Sequence, residues 1–356
     1  MAITSNFDTA ILALVTDLVS ADTIDISQAV FESAFEVGDI AEGHTVVTGV
    51  RTGNVIPILS KAPKYDSFPF KNANDCTIPA CDLDLGFSAK IWELGMIACK
   101  IPICINTFDE NFLLFWNSYK RVFGDENLSS ALMQYIIDIF QNNLNAAIWR
   151  QVWFGDTANT TNIYLKGNDG IFTQAEAMDG TKIVVSQNAT GDLTGEQLYA
   201  YLTEAYQIAS VSPWWNPATV QFEMTQAMAS VLVSWLNTIS DKSLYNCECY
   251  SPDGITAQRT FSIDGALKIF GIPVHIHREF DGIIQTFALG NPYRALLTSN
   301  TNILIGTSEL DQLPAFDIWY SKDDDQIYIK GGANVGASLV TNEYVYIGAE
   351  SASPSV

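Results

Sequence analysis

The chain has 356 residues, which is long enough for two compact units or one large one. Its net charge of -22 argues against a protein that grips phosphate backbones through clustered Lys and Arg. Charged residues make up only 16% of the chain, below the roughly 25% usual for soluble domains, as expected if copies of the chain cover much of its surface.

The N-terminal segment predicts an amphipathic helix. Asn6 is a good N-cap, and apolar side chains follow at helical spacing at Phe7, Ala10, Ile11, Leu14, Val15 and Leu18. We expect this helix to dock either on a neighbouring subunit or on its own domain. The sequence shows no signal peptide and no apolar run near the roughly 20 residues that span a bilayer, so we expect a cytosolic protein.

Residues 45–59 are rich in β-forming side chains, and residues 61–75 are a connection punctuated by Lys, Pro, Asp and Asn. Residues 76–106 alternate in part between apolar and polar side chains, and we interpret them as a long two-stranded excursion. A two-stranded ribbon is marginal alone in water, so it needs another surface to lie on.

Residues 127–149 give the strongest local signal in the chain. Their apolar side chains fall on one face of a helix at Leu128, Leu132, Tyr135, Ile136, Ile139, Phe140, Leu144, Ala147 and Ile148. The helix would be on the order of 35 Å long, which suits a structural spine.

The remaining residues mix helices and strands. We predict a turn into a short strand at 169–172, helices at 194–209 and 225–236, strands at 218–224 and 270–277, and short strands within 294–307 and 315–329. Thr194 is a possible cap, with Glu196 close by. The regular βαβ alternation of a doubly wound fold is missing, so we predict an α+β protein.

No recognisable catalytic motif is present. The sequence has no phosphate-binding Gly-x-x-x-x-Gly-Lys loop, no Gly-x-Ser-x-Gly elbow and no His-Glu-x-x-His. The glycines from Gly331 to Gly336 have the wrong spacing for a dinucleotide loop, and we place them between a turn and a further strand.

Several groups could hold a metal ion, and each has a simpler interpretation. His275 and His277 share a strand face and could bind zinc with Cys247 or Cys249, or they could belong to a polar or interface face. Four thiols could form a zinc site, or they could simply be buried or packed in an interface: Cys76, Cys81, Cys99 and Cys104. Asp323, Asp324 and Asp325 could bind calcium weakly or form a solvated hairpin tip.

Two pairs of tryptophans could stack on a ligand or pack in cores and interfaces: Trp149 with Trp153, and Trp214 with Trp215. No basic cluster lies near them, which favours packing. We therefore expect no catalytic, cofactor-binding or metal-binding residue in this chain.

Several segments, in order, resemble the major capsid proteins of tailed phages, which have the Hong Kong-97-like capsid fold shared with encapsulins. The resemblance covers most of residues 40–350. It is carried by residues 45–59, 90–104 (beginning Lys90-Ile-Trp-Glu-Leu), the helix ending Ala147-Ile-Trp, Asn168-Asp-Gly-Ile-Phe, Phe261-Ser-Ile-Asp-Gly, Phe270-Gly-Ile-Pro-Val and Leu297-Thr-Ser-Asn-Thr-Asn-Ile-Leu-Ile-Gly-Thr.

The resemblance implies four regions. They are an N-terminal arm over residues 1–47, an extended loop (E-loop) over 48–112, a peripheral (P) domain over 113–184 and 317–356 that holds the spine helix, and an axial (A) domain over 185–316. The family would make this a non-enzymatic protein whose pentamers and hexamers form the icosahedral head shell around double-stranded phage DNA.

Its partners would then be other copies of itself, possibly with scaffold, portal and decoration or minor capsid proteins. Packaged DNA would be contacted weakly and without sequence specificity, and no membrane would be involved. The protein would assemble in the cytoplasm of a bacterial host and reside in the virion. Its acidity would either keep nucleic acid from adhering to the shell wall or serve solubility alone.

Three alternatives stay open at this point. The chain could form an encapsulin-type compartment around a cargo enzyme. It could be a soluble zinc enzyme that uses Cys247, Cys249, His275 and His277. It could also be a tail or decoration protein that forms rings or trimers.

Overall fold

The computed structural model describes residues 44–59, 87–104, 128–185, 193–238, 268–290, 292–308, 317–321 and 326–349. The chain divides into two compact units. Unit 1 comprises Met1–Arg51, Glu93–Gly170 and Ile305–Ala337, and unit 2 comprises Thr52–Trp92, Ile171–Leu304 and Ser338–Val356. Each unit combines segments that are far apart in sequence, so pairing between distant segments holds each of them together.

The described residues form a mixture of helices and strands, which confirms the predicted α+β class. The helices are α1 (Leu128–Phe154), α2 (Ile171–Ala177), α3 (Gly195–Ser210), α4 (Gln226–Thr238) and α5 (Arg278–Phe287), with a 3-10 turn at Asn300–Asn302. The strands are β1 (Thr45–Val47), β2 (Val55–Leu59), β3 (Phe87–Ile91), β4 (Gly95–Cys104), β5 (Thr181–Val184), β6 (Val220–Thr225), β7 (Lys268–Ile269), β8 (Ile272–His277), β9 (Ala295–Ser299), β10 (Ile303–Thr307), β11 (Asp317–Ser321), β12 (Gln326–Leu339) and β13 (Tyr344–Ala349).

None of these helices combines the length and the apolar character that crossing a membrane requires. The amphipathic helix predicted near the N-terminus lies outside the described residues.

Helix α1 is the spine of unit 1. It has 27 residues, which is on the order of 40 Å at 1.5 Å per residue. It continues past the predicted end at residue 149 because Val152 and Trp153 extend its buried stripe. The helix stops before Gly155, where a Cβ atom would lie 2.2 Å from the carbonyl oxygen of Asn168, so only glycine fits the turn.

The sheet of unit 1 follows the strand order β1-β10-β12-β11, and β4 pairs with β12. Strands β4 and β12 run antiparallel from Gly95 opposite Val335 to Cys104 opposite Gln326. Ile329, Ala333 and Val335 of β12 are buried, and α1 packs against β4. One face of this sheet therefore belongs to the core of unit 1.

The prediction that residues 76–106 form one long two-stranded excursion is wrong in its pairing. Strands β3 and β4 lie in this range, but β3 pairs antiparallel with β2, with Val55 opposite Ile91. Strand β4 instead joins the larger sheet, since glycines on β12 let its backbone approach. A Cβ atom at Gly332 would lie 2.1 Å from the carbonyl oxygen of Ile97, and one at Gly336 would lie 2.5 Å from that of Glu93.

The stretch from Gly331 to Gly336 was expected between a turn and a further strand, and this placement is wrong. All of it lies inside β12. Gly332 and Gly336 allow close strand pairing, which is one common reason for glycine in a strand interior.

Unit 2 is built on a six-stranded mixed sheet with the order β5-β13-β9-β6-β8-β7. Strands β6 and β8 are parallel, as are β13 and β5, while β9 pairs antiparallel with both β6 and β13. Every residue of β6 is buried. On one face, Phe222, Leu297 and Val345 pack in a core with apolar residues of α3 and α4.

The opposite face of this sheet carries aromatic packing. The Tyr346 ring of β13 lies 5.8 Å from the Phe172 ring of α2, which lies 5.5 Å from the Phe280 ring of α5. The predicted turn into a strand at residues 169–172 is therefore wrong after Gly170. Ile171, Phe172 and Ala175 are buried at helical spacing and form α2.

The other predicted elements of unit 2 are confirmed, with boundaries shifted by one to two residues. Thr194 caps α3 as predicted, but its reciprocal partner is Gln197 and not Glu196. The Gln197 backbone N–H donates to Thr194 Oγ1 at 3.3 Å, and the Thr194 N–H donates to Gln197 Oε1 at 3.1 Å. Together they form a capping box.

We expect Gly332→Ala to lower the melting temperature, since the added methyl group would collide with the backbone of β4. Overpacking of this kind costs about 1–3 kcal/mol. Gly282→Ala is the matched control, because a Cβ atom there meets nothing within 4 Å and Gly282 lies inside α5. Its better helix propensity should raise stability by about 1 kcal/mol. Equal melting temperatures for the two variants would contradict this account of the strand pairing.

Candidate assembly surfaces and a buried polar cluster

The ribbon of β2 and β3 has two unlike faces. Because opposite residues of an antiparallel pair share a face, Val55 and Ile91 lie together, as do Pro57 and Ala89. Val55 and Ile91 are each 58% exposed, and Pro57 and Ala89 are exposed beside them. We call these four residues the outer face of the ribbon. It is an apolar surface that the described part of the chain leaves exposed.

The other face anchors the ribbon to the rest of unit 2. Ile56 is buried, and opposite it Lys90 is half-buried. Lys90 Nζ donates to Gln174 Oε1 at 2.6 Å and to the Leu339 carbonyl oxygen at 2.7 Å. At the base of the ribbon, Trp92 is buried and exchanges backbone hydrogen bonds of 2.8 and 3.0 Å with Asn54 and Gly53.

The sheet of unit 1 also presents an exposed face, on the side away from Ile329 and Val335. Its residues are Met96, Ala98, Lys100 and Pro102 of β4, Tyr328 and Lys330 of β12, and Trp319 of β11. The Trp319 and Tyr328 rings stack at 5.4 Å, and Lys100 Nζ lies 3.8 Å from the centre of the Tyr328 ring. Met96 is 62% exposed. A cation–π contact therefore joins β4 to β12 on this face.

The loop after α1 holds two apolar side chains in solvent. Ile163 is 75% exposed and Tyr164 is 58% exposed. The loop is nevertheless densely hydrogen-bonded. Arg150 Nε donates to the Tyr164 carbonyl oxygen at 3.0 Å, and Asp169 Oδ1 accepts from both the N–H and the hydroxyl of Thr157 at 2.8 and 2.7 Å. A rigid loop with an apolar tip is pre-organised for contact with another molecule.

The candidate zinc ligands are only partly covered by the described residues. His277 ends β8, and its Nε2 is hydrogen-bonded to a carboxylate oxygen of Glu223, which is fully buried on β6. Gln221 Nε2 donates to the other Glu223 oxygen. His275 is half-buried on β8, while Cys247 and Cys249 lie outside the described residues.

This Gln221–Glu223–His277 cluster was not predicted, because the hydrogen bond between Glu223 and His277 joins residues that are 54 positions apart in the sequence. Its chemistry is that of a buried carboxylate held by two donors, which is how a protein tolerates a buried acid. The cluster lies against the Phe280 ring, 4.5 Å from the His277 ring. It thereby fixes the passage from β8 into α5.

The remaining candidate residues have these positions. Cys99 is exposed on β4, where partial desolvation raises the pKa of its thiol. Trp149 and Trp153 are buried in unit 1 against the ring of His44, at 6.3 and 5.5 Å. Trp214 and Trp215 are half-buried after α3, and the Trp215 ring meets Tyr206 at 5.5 Å. Cys76, Cys81 and residues 323–325 lie outside the described residues.

Asp281 is a carboxyl group whose burial is only partly compensated by hydrogen bonds. It lies in the first turn of α5, and its Oδ1 has no hydrogen-bond partner among the described residues. Desolvation raises the pKa of its carboxyl group above the usual 3.8, and a hydrogen bond from the Ala227 backbone N–H lowers it in part. A raised native pKa means that the carboxylate form destabilises the fold.

Because protonation is favoured in the native state, the contribution of Asp281 is fully present below its unfolded pKa and is lost as the pH rises through its folded pKa. Asp281→Asn should therefore stabilise the protein at about pH 7, with the gain vanishing near about pH 3. Denaturant unfolding across this range measures it. Glu279→Gln, an exposed change in the same helical turn, corrects for the lost charge at the helix N-terminus. A gain that is no larger for Asp281→Asn than for Glu279→Gln would contradict the assignment.

The arrangement of strands and helices is similar to that of solved phage structures. No protein-family model matches the sequence, and no curated protein matches it either. Among solved structures, a chain of Gordonia phage Cozz is 12% identical with a TM-score of 0.53, covering 87% of this chain and 86% of its own.

A chain of the satellite phage P4 procapsid, including the size determination (Sid) protein, is also 12% identical, with a TM-score of 0.52 over 90% of this chain and 99% of its own. At such low identity the likeness concerns the fold. The resemblance to tailed-phage major capsid proteins is thus confirmed for the fold, which is a mixed α+β fold shared with phage capsid structures.

Proposed function

We propose that the chain is the major capsid protein of a tailed phage and that it acts by self-assembly without catalysis. The observation that carries the proposal is the shared fold, which extends over 90% of this chain and 99% of the P4 procapsid chain. Copies would form pentamers and hexamers and close into an icosahedral head around double-stranded DNA. Assembly would take place in the bacterial cytoplasm, with scaffold, portal and decoration proteins as further partners.

The proposed layout follows the capsid fold. The ribbon of β2 and β3 falls inside the E-loop assigned to residues 48–112, and α1 falls inside the P domain assigned to 113–184 and 317–356. The arm would occupy residues 1–47 and the A domain 185–316. An encapsulin-type compartment is not favoured, because both of the structures compared above come from phages.

The exposed apolar surfaces support self-association. The outer face of the ribbon and the tip of the loop after α1 are apolar and are held in place by hydrogen bonds, so ordering them on assembly costs little entropy. Burying apolar area yields about 25 cal/mol per Å² before the costs of association are subtracted. In a shell each copy repeats this burial with several neighbours.

Expression of the chain, together with its phage-encoded helpers, should give closed shells in negative-stain electron microscopy and fast-sedimenting species in analytical ultracentrifugation. Heads from the phage should contain DNA. A protein that stays a monomer at micromolar concentration beside those helpers would contradict the proposal, and so would small shells filled with a cargo enzyme.

Ile91→Asp should prevent or strongly weaken assembly, because it would place a charge in an apolar contact where no partner compensates its desolvation. The melting temperature of the free subunit should change little, since surface substitutions usually stay within about 0.5 kcal/mol. Gln207→Glu adds the same charge at an exposed polar position of α3 and should assemble normally. Sedimentation of the wild type, Ile91→Asp and Gln207→Glu measures assembly. Normal shells from Ile91→Asp would rule out the outer face as a contact.

A further inference from the structure

Lys90 stands apart from the other ribbon residues. It lies on a strand of an exposed ribbon, yet its ammonium group is turned into unit 2 and not into solvent. It donates to Gln174 Oε1 at 2.6 Å and to the Leu339 carbonyl oxygen at 2.7 Å, and Met178 Sδ lies 3.8 Å away. The chain has only 18 Lys and Arg residues, and one of them is used here.

The acceptors of Lys90 are themselves joined. Gln174 Oε1 also accepts a hydrogen bond from the Leu339 backbone N–H at 3.0 Å. One side-chain oxygen therefore connects the ribbon, helix α2 and the end of β12. Hydrogen bonds from a charged donor contribute about 1.5–3 kcal/mol, more than neutral ones.

The position of Lys90 on the ribbon gives this connection its effect. Lys90 is opposite Ile56 and immediately before Ile91. Since side chains alternate along a strand, fixing Lys90 inward holds Ile91 outward, and with it the whole outer face. Ile56 and Trp92 are buried at the base of the ribbon, while the Lys90 hydrogen bonds set the direction of the ribbon relative to α2 and the end of β12.

We propose that Lys90 is a positioning residue for shell assembly: through Gln174 and Leu339 it fixes the angle of the ribbon, so that the outer face meets a second copy of the chain in one orientation. This rests on the proposed function. A ribbon free to swing would still expose Val55 and Ile91, but it would meet its neighbour over a range of angles. Shells would then vary in curvature.

The test uses the variant Lys90→Met, which keeps the apolar stem of the side chain and removes the hydrogen-bond donor. Amide hydrogen exchange of residues 87–91 in the free subunit should become about tenfold faster or more, while exchange in α3 stays as in the wild type. Lys182→Met is the matched control. Lys182 is exposed on β5, and its one hydrogen bond within the described part of the chain goes to the Glu176 carbonyl oxygen, so its loss should leave the ribbon unchanged.

Gln174→Glu tests the opposite direction. A carboxylate still accepts from the Leu339 N–H and binds the ammonium more strongly, so exchange of residues 87–91 should slow. In assembled particles, Lys90→Met should broaden the distribution of shell diameters, a readout that a loss of stability alone would not move, while Lys182→Met should give the wild-type distribution.

If ribbon exchange is the same in wild type, Lys90→Met and Gln174→Glu, the positioning role is wrong. If Lys90→Met speeds ribbon exchange but its shells match those of the wild type in diameter, the role in assembly is wrong. If the wild type forms no shells at all, the proposed function fails, and ribbon exchange still decides whether Lys90 holds the ribbon.

Discussion

The pairing of β4 with β12 is the constraint on which unit 1 depends. It joins residues 95–104 to residues 326–335, so more than two hundred residues of chain lie between the paired strands. Such a pairing forms only if its favourable free energy exceeds the entropic cost of closing a very long loop. That cost grows only slowly with loop length. The glycines at 332 and 336 remove the Cβ atoms that would otherwise hold the backbones apart. Once the strands meet, Ile329, Ala333 and Val335 can form the buried face of the sheet.

Local patterns in the sequence were sufficient for the strongly periodic elements. The buried stripes of α1, α3 and α4 and the partial alternation of β8 each reflect burial on one side, and such burial leaves a period that can be recognised without knowing the partner. Helix α2 was missed because seven residues give too little period to separate a helix from a strand. Strand β4 was recognised as extended but given the wrong partner, since nothing in its own residues says that β12 is opposite.

The same difference between local patterns and long-range contacts applies to the candidate sites. That a two-stranded ribbon needs another surface followed from the sequence pattern, although the pattern placed the ribbon over residues 76–106 and did not pair β3 with β2. The residues that hold it did not, because Lys90 lies 84 residues from Gln174 and 249 residues from Leu339. Likewise, His277 was noted as a possible metal ligand from its spacing to His275. Its hydrogen bond to Glu223 depends on the parallel pairing of β6 and β8, a contact that only the fold supplies.

The distribution of polar and apolar groups on the ribbon inverts the usual arrangement. In an ordinary surface hairpin the apolar face is turned inward and Lys side chains reach into water. Here the ammonium of Lys90 is turned inward and satisfied by two oxygens, while Val55 and Ile91 are left in water. That exchange desolvates a charge, which the two oxygens compensate, and leaves two β-branched side chains exposed to water. A further surface that covered the outer face, as in the proposed shell, would add the burial of these two side chains to the stability that the Lys90 hydrogen bonds already give the ribbon.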